Sequence, residues 1–556
     1  MSESIRTRLR PVLACAASAA ALLAMAAPAH AEWLRAETTH FVIYGDTNRG
    51  ELQRYAQKLE RFDALLRTYY PIRVDHEIPK LDIVLANGGS DMDRMSPGIS
   101  SSVAGFYAPD SGRIFAVVNT RSEMDDVVIF HEYAHHFMFQ MTSVAYPSWF
   151  VEGFAEYYAQ ADVRRDHIRI GGISQGRMNS LTGGSNTWAP TDDVLRWRLS
   201  RSGRYRGFDY YAQSWALAHY MFSDPDRTKK LGQYLALVGA GTETGQALQT
   251  SFGRTPAQLQ DDLRRYLSGA IPVLSPQIQL PDAEVSITAL PASWDRLVWF
   301  DFRLDRAPYT PRELGADATQ DQRRVAAERQ KEAEEEQRHL IRDATAAGDQ
   351  FATDRMGILV KARAQNLAGS SSDAFETLEP LLTADSKDSI ALRLGGQFLL
   401  DMANKETDAT LKAGMMRQVR SYLSRALDAD PLDFRTYLAL DDSRKTASGY
   451  PNDNDLSTLQ IAATLAPQSS DARLRTARAY MAHGLPALAI VMLTPVANDP
   501  HGGSGQTAVR ALLAQARAAM GLSPTEDAPP PEEEGDDEGS GEGSSEGSGA
   551  ASSEAG

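Results

Sequence analysis

Cysteine is almost missing from this 556-residue chain, whose single one is Cys15. No disulfide can brace the folded part, which must rely on its own core and on any metal it holds. Long apolar runs are scarce too. Beyond the N-terminal segment, no stretch is long enough to span a bilayer. Positive charge is in deficit, with a formal net charge of −16. That balance argues against nucleic acid or anionic lipid as a partner, because phosphate binding needs a basic surface. Hydrophobic content of 42% and charged content of 23% are those of an ordinary globular protein. A chain of this length exceeds one compact core, so two or three domains are expected.

The ends of the chain differ from the middle. Arg6, Arg8 and Arg10 precede an apolar run from Pro11 to Ala27, and Ala29-His30-Ala31 follows. This is the pattern of a secretory signal over residues 1–31, with the mature chain beginning at Glu32. The apolar run is short for a retained anchor, and Cys15 follows too little of it to be a lipid acceptor. Export to a bacterial periplasm or to the outside of the cell is the expected setting. At the other end, residues 521–556 are mostly Glu, Asp, Gly and Ser with three consecutive prolines. Such a segment cannot bury enough apolar surface to fold, so an acidic, disordered tail is expected.

The chemistry concentrates in one place. His131-Glu132-Tyr133-Ala134-His135 lies in a run that predicts a helix over 122–141. Residues at i and i+4 share a helix face, so His131 and His135 can hold one metal ion, with Glu132 beside it as general base. His136 points about 100° away from His135 and is expected to be a neighbour, not a ligand. A catalytic zinc normally takes a third protein ligand and leaves a fourth position to water. Glu152, in the apolar segment Trp149–Tyr157, is the candidate third ligand. A carboxylate there is costly to bury unless it meets a cation. Glu156, one turn on, is expected to bond the outer nitrogen of a ligand histidine. Gly153 would let two helices approach closely.

His131-x3-His135 followed by Glu152-Gly-x-Ala-Glu156 resembles the gluzincin metallopeptidases, the clan of thermolysin and the zinc aminopeptidases. The resemblance covers about residues 40–268. It implies one Zn²⁺ held by His131, His135 and Glu152, with Glu132 as general base and Glu156 supporting a ligand. It also implies a tyrosine that donates to the oxyanion. Tyr211 fits the Tyr-x-x-Ser/Gly spacing of the family best, and Tyr210 is the alternative. In that clan a sheet edge holds the extended substrate by strand addition. Residues 113–119 are the candidate edge. They lack the Gly-x-Met-Glu-Asn pattern of the aminopeptidases, so an endopeptidase is the expected type.

Around this motif, residues 40–46 and 81–86 predict strands, 51–69 a helix, and 105–118 a hairpin. Together they imply an α+β domain over 32–268, with a small, largely antiparallel sheet ahead of the zinc-binding helices. The Gly-rich stretch 171–190 is expected to form loops beside the cleft, and a helix is expected from Asp209 to about Phe222. Residues 269–350 read as a linker. It holds short apolar runs at 285–287 and 298–302, expected as strands, and then a charged helix over 320–343.

From 351 to 520 the chain turns to Ala/Leu-rich helical segments. Pro431, Pro467 and Pro500 end three similar helices, 36 and then 33 residues apart. That is near the roughly 34-residue period of tetratricopeptide helix pairs, which this all-α region resembles. Such solenoids bind peptides or protein partners. The expectation is therefore a multidomain, exported zinc endopeptidase acting on a peptide or protein substrate, with helical repeats for docking. Two alternatives stand beside it. One is a periplasmic interaction or assembly protein with a structural or vestigial zinc site. The other is hydrolysis of a non-peptide amide such as a cell-wall crosslink.

Overall fold

A computed structural model describes residues 32–71, 76–100, 103–109, 112–142, 144–183, 188–196, 207–306, 319–499 and 506–522. The expected signal segment and nearly all of the acidic tail lie outside the described residues. The chain begins with antiparallel strands β1 (Trp33–Glu37) and β2 (Phe41–Asp46). Helix α1 (Arg49–Tyr69) leads to β3 (Leu81–Ala86), parallel to β2. Helix α2 (Gly89–Met95) precedes the hairpin of β4 (Gly105–Ala108) and β5 (Phe115–Asn119), with β5 parallel to β3. Two helices follow, α3 (Asp125–Met141) and α4 (Ser148–Ala159). After the minor pair β6 (Asp162–Val163) and β7 (Ile168–Arg169) come six more: α5 (Gln175–Thr182), α6 (Thr191–Leu195), α7 (Gly207–Phe222), α8 (Pro225–Gly239), α9 (Thr244–Phe252) and α10 (Pro256–Leu267). A late strand, β8 (Ser286–Ala289), then pairs with β1.

The main sheet has the order β4-β5-β3-β2-β1-β8 and is mixed. This corrects the expectation of a largely antiparallel sheet. Its centre is parallel, which needs crossover connections, and the segments holding α1 and α2 supply them. The strands show why. Leu81, Ile83 and Leu85 of β3 point into one core and Val84 and Ala86 into another, as do Ala116 and Val118 against Phe115 and Val117 of β5. A sheet buried on both faces has apolar side chains at both strand parities. One face packs on α1, α3 and α4; the other on α2 and a further helix, α11 (Trp294–Arg303). The structure also moves the edge. β5 is interior, so the expected edge at 113–119 gives way to β4, the outer strand beside α3.

Residues 286–303 belong to this sheet domain and do not form a free linker. β8 extends the sheet and α11 covers its second face. The run 298–302, expected as a strand, lies in α11, where Val298 and Phe302 share one helical face one turn apart.

Beyond this lies the helical region. It comprises α12 (Gln320–Gln350), α13 (Arg355–Leu367), α14 (Ser371–Leu378), α15 (Ser389–Lys405), α16 (Ala409–Ala429), α17 (Phe434–Asp442), α18 (Asp453–Leu465), α19 (Ser470–Ala482), α20 (Pro486–Ala497) and α21 (Gln506–Ala519). Consecutive helices pack on one another along this order, which is the arrangement of a helical repeat. Pro431 and Pro467 each follow the second helix of a pair, and Gly484 makes the α19–α20 turn at φ 70°. A proline cannot continue the helix before it, and the positive φ suits glycine. Among the described residues no helix is long and apolar enough to cross a membrane.

The two regions are joined by a chain of alternating charges. Arg113 of the hairpin donates to Asp82 of β3 at 2.6 Å and to Asp301 of α11 at 2.8 Å. Arg363 of α13 donates to Asp301 and, at 3.0 Å, to Asp305. Arg435 of α17 reaches Asp305 at 3.4 Å and Asp433 at 2.6 Å, and Arg393 of α15 donates to Asp433 at 2.9 Å. Four arginines and four aspartates thus cancel one another. Burial pushes the Asp301 carboxyl up, but Arg363 and Arg113 outweigh it and hold it at about 2. Losing one member would strand a buried charge, which typically costs about 3–5 kcal/mol.

Candidate metal centre

The centre is built by α3 and α4, which pack directly against each other. Asp125 and Asp126 occupy the first turn of α3, where negative charge suits the helix dipole. His131 and His135 then fall one turn apart, and their Nε2 atoms face each other at 3.0 Å. Glu152 comes from α4 and is 0% exposed. Its oxygens lie 3.8 Å from His131 Nε2 and 3.6 Å from His135 Nε2. One atom from each residue can be chosen so that all three lie within 4.8 Å of one another. A tetrahedral ion with bonds of about 2.0–2.1 Å separates its ligands by roughly 3.3 Å. The imidazole nitrogens are 3.0 Å apart, and each has a different Glu152 oxygen at 3.8 or 3.6 Å, on either side of that value. Two convergent imidazoles, His131 partly exposed and His135 buried, and one fully buried carboxylate are a donor set that fits a zinc ion. Glu132 lies on the same helix, half-buried.

Around these residues stands a supporting layer. Glu156 Oε1 is 3.4 Å from His131 Nδ1, the nitrogen facing away from the cluster. Glu156 is itself gripped by Arg177, whose Nε and Nη2 donate to its two oxygens at 3.0 and 2.9 Å. Burial opposes the charge on Arg177, but Glu156 outweighs it and holds the guanidinium above its ordinary value. Its carbon also sits 5.3 Å from the centre of the Tyr211 ring. Tyr211 feels Glu152, Glu156 and Glu132 together. Burial first, then Glu152, pushes its phenol well above the ordinary range, with Arg177 opposing. It remains a proton donor at neutral pH. Tyr210 is raised by the same two causes and is buried on α7, which packs against α4.

Gly153 faces α7 and not α3. A β-carbon there would overlap the Ser214 carbonyl oxygen and approach Ala218 Cβ to 2.9 Å. The close approach therefore seats the tyrosine helix against the Glu152 helix. His136 stands apart from the ligands. Its Nδ1 meets the Tyr107 hydroxyl at 2.8 Å and Gln468 at 3.2 Å, and burial pushes its pKa down to about 3.

Sequence spacing does not single out Arg177, which falls in the stretch 171–190 expected as loops. Residues 175–182 form α5, capped by Ser174, whose side chain accepts from the Arg177 amide. The serine cap marks the helix in the sequence; nothing local marks its partner Glu156, 21 residues upstream.

A second cluster has similar ingredients. His40 Nδ1 lies 2.9 Å from Glu60 and 3.2 Å from Asp63. Asp63 also accepts from Tyr133 at 2.5 Å and Arg67 at 2.7 Å, and Glu60 from the His40 amide at 2.8 Å. These partners already balance the carboxylates, so the cluster braces α3 from behind.

A family model described as "Protein of unknown function (DUF1570)" matches residues 127–239, from within α3 to the end of α8. No curated protein matches the chain. Among solved structures, a thermophilic TPR protein from Thermus thermophilus aligns with a TM-score of 0.28 at 16% identity. The alignment covers 36% of this chain and 100% of that one. A likeness at that score carries no argument.

Proposed function

We propose that this chain is a zinc-dependent peptidase of gluzincin type, acting outside the cytoplasm on a peptide or protein substrate. The observation that carries the reading is the convergence of His131, His135 and Glu152, with Glu132 on the same helix. Zinc bound there would act as a Lewis acid toward a water and the scissile carbonyl. The Glu132 carboxylate takes a proton from the attacking water and returns it to the leaving amine nitrogen. Tyr211 donates its phenolic hydrogen to the carbonyl oxygen as negative charge develops, an effect worth about 2.7–4 kcal/mol for donors of this kind. Glu156, 3.4 Å from His131 Nδ1, orients that ring, while Arg177 holds Glu156 in place. The helical repeats would hold a protein partner or substrate.

The test pairs metal analysis with Glu132→Gln. One zinc should be retained in the variant while hydrolysis of an unfolded protein substrate falls by at least about a hundredfold. Full activity in Glu132→Gln would remove Glu132 from the chemistry. A wild-type protein that binds no zinc after reconstitution would overturn the reading.

A further inference from the structure

Two turns of the helical region are hydrogen-bonded to the two helices of the candidate metal centre. Gln468, in the turn between α18 and α19, donates through Nε2 to Gln140 Oε1 of α3 at 2.7 Å. The same nitrogen lies 3.2 Å from Nδ1 of His136, the residue after His135. Asn498, which ends α20, donates through Nδ2 to the Tyr146 carbonyl at 3.0 Å. The Ser148 hydroxyl donates back to the Asn498 carbonyl at 2.6 Å. Ser148 is the first residue of α4, one turn before Glu152. Gln468, Gln140, His136 and Ser148 are all buried.

We propose that Gln468 and Asn498 are positioning residues that hold α3 and α4 at the spacing the metal needs. The proposal rests on the metal reading above. Metal–ligand distances tolerate only about 0.2 Å. The ligands here come from two helices, so a small relative slide alters His131–Glu152 and His135–Glu152 together. From the core side α3 and α4 are held by apolar contacts and by side-chain bonds such as Tyr133 to Asp63 and Arg177 to Glu156. The bonds at Gln468 and Asn498 come from the opposite region, itself joined to the sheet domain by the Arg–Asp chain. The helical repeats are then part of the centre's frame, and whatever binds them can act on metal affinity.

The test uses the full chain, zinc in competition with a chromophoric chelator, and the visible spectrum of the cobalt(II) form. Gln468→Met keeps the length of the side chain and removes its donor. Asn498→Ala removes the side-chain bond of the second clamp at a partly exposed position, and carries the same test should Gln468→Met fail to fold. Each should weaken zinc binding about tenfold, the lower end for residues that orient metal ligands. Each should also shift the cobalt bands while leaving the urea midpoint near that of wild type. A wild type that binds one zinc, with variants of equal zinc affinity and unchanged cobalt spectra, would overturn this proposal alone. A wild type that binds no zinc would overturn the metal reading beneath it.

Discussion

Among the described residues, two clusters of histidine and carboxylate lie within metal-ligand distance, and their surroundings differ. At His40, Glu60 and Asp63, the carboxylates are matched by Arg67, the Tyr133 hydroxyl and a backbone amide. At His131, His135 and Glu152, a fully buried carboxylate faces two imidazole nitrogens, and the arginine nearby donates to Glu156. Donor types alone do not distinguish the two. What differs is the set of partners: an arginine, a phenol and a backbone amide donate to the carboxylates of the first cluster, whereas the Glu152 oxygens face His131 Nε2 and His135 Nε2.

The sharpest way to break this comparison is to remove one carboxylate from each cluster. Glu152→Ala should lower the zinc content of the purified protein from one per chain to near zero, since a third of the ligand set is gone. Asp63→Ala should leave zinc content at one. It should instead lower stability to urea by about 3 kcal/mol, because Arg67 and Tyr133 lose a shared acceptor. Zinc loss in Asp63→Ala with unchanged unfolding would reverse the assignment. A smaller effect is expected at Arg177. Arg177→Met should leave Glu156 without its counter-charge and weaken zinc binding by about 10–100-fold, read by chelator competition. Equal affinity would mean that Arg177 serves packing only.

The smallest effect extends the comparison to the Arg–Asp chain, where arginines and aspartates alternate. The folded Asp301 carboxyl sits at about 2, below an ordinary aspartate near 3.9. A group depressed in the folded state stabilises fully above its unfolded value and loses that contribution as pH falls through the folded one. Stability should therefore be flat with respect to this group at neutral pH and decline between about pH 4 and 2. Asp301→Asn should flatten that decline in a urea series across the window. An unchanged profile would place the acid sensitivity elsewhere.

How much of this is legible in the sequence depends on how far apart the interacting residues lie. The period of apolar residues in 51–69 and the i,i+4 histidines describe single elements, and α1 and α3 follow them closely. The parallel centre of the sheet is not legible, because β2, β3 and β5 alternate apolar side chains between two cores, a pattern that fixes a strand but not its neighbour's direction. The position of the sheet edge is hidden for the same reason. The run 298–302 is too short and too apolar to tell a strand from a buried helix.

By itself the sequence determined the ligand candidates, the elements β2, β3, α1, α3 and α7, and the punctuation of the helical pairs, all of which arise from spacings within a few turns. Only the tertiary structure decided that Arg177 meets Glu156, that four arginines meet four aspartates, and that Gln468 and Asn498 reach the metal helices. Those pairings join segments as many as 352 residues apart, as for Asn498 and Tyr146. Periodicity tells which face of an element is buried. It carries no information about which distant face will cover it, because burial is non-directional and any complementary surface satisfies it.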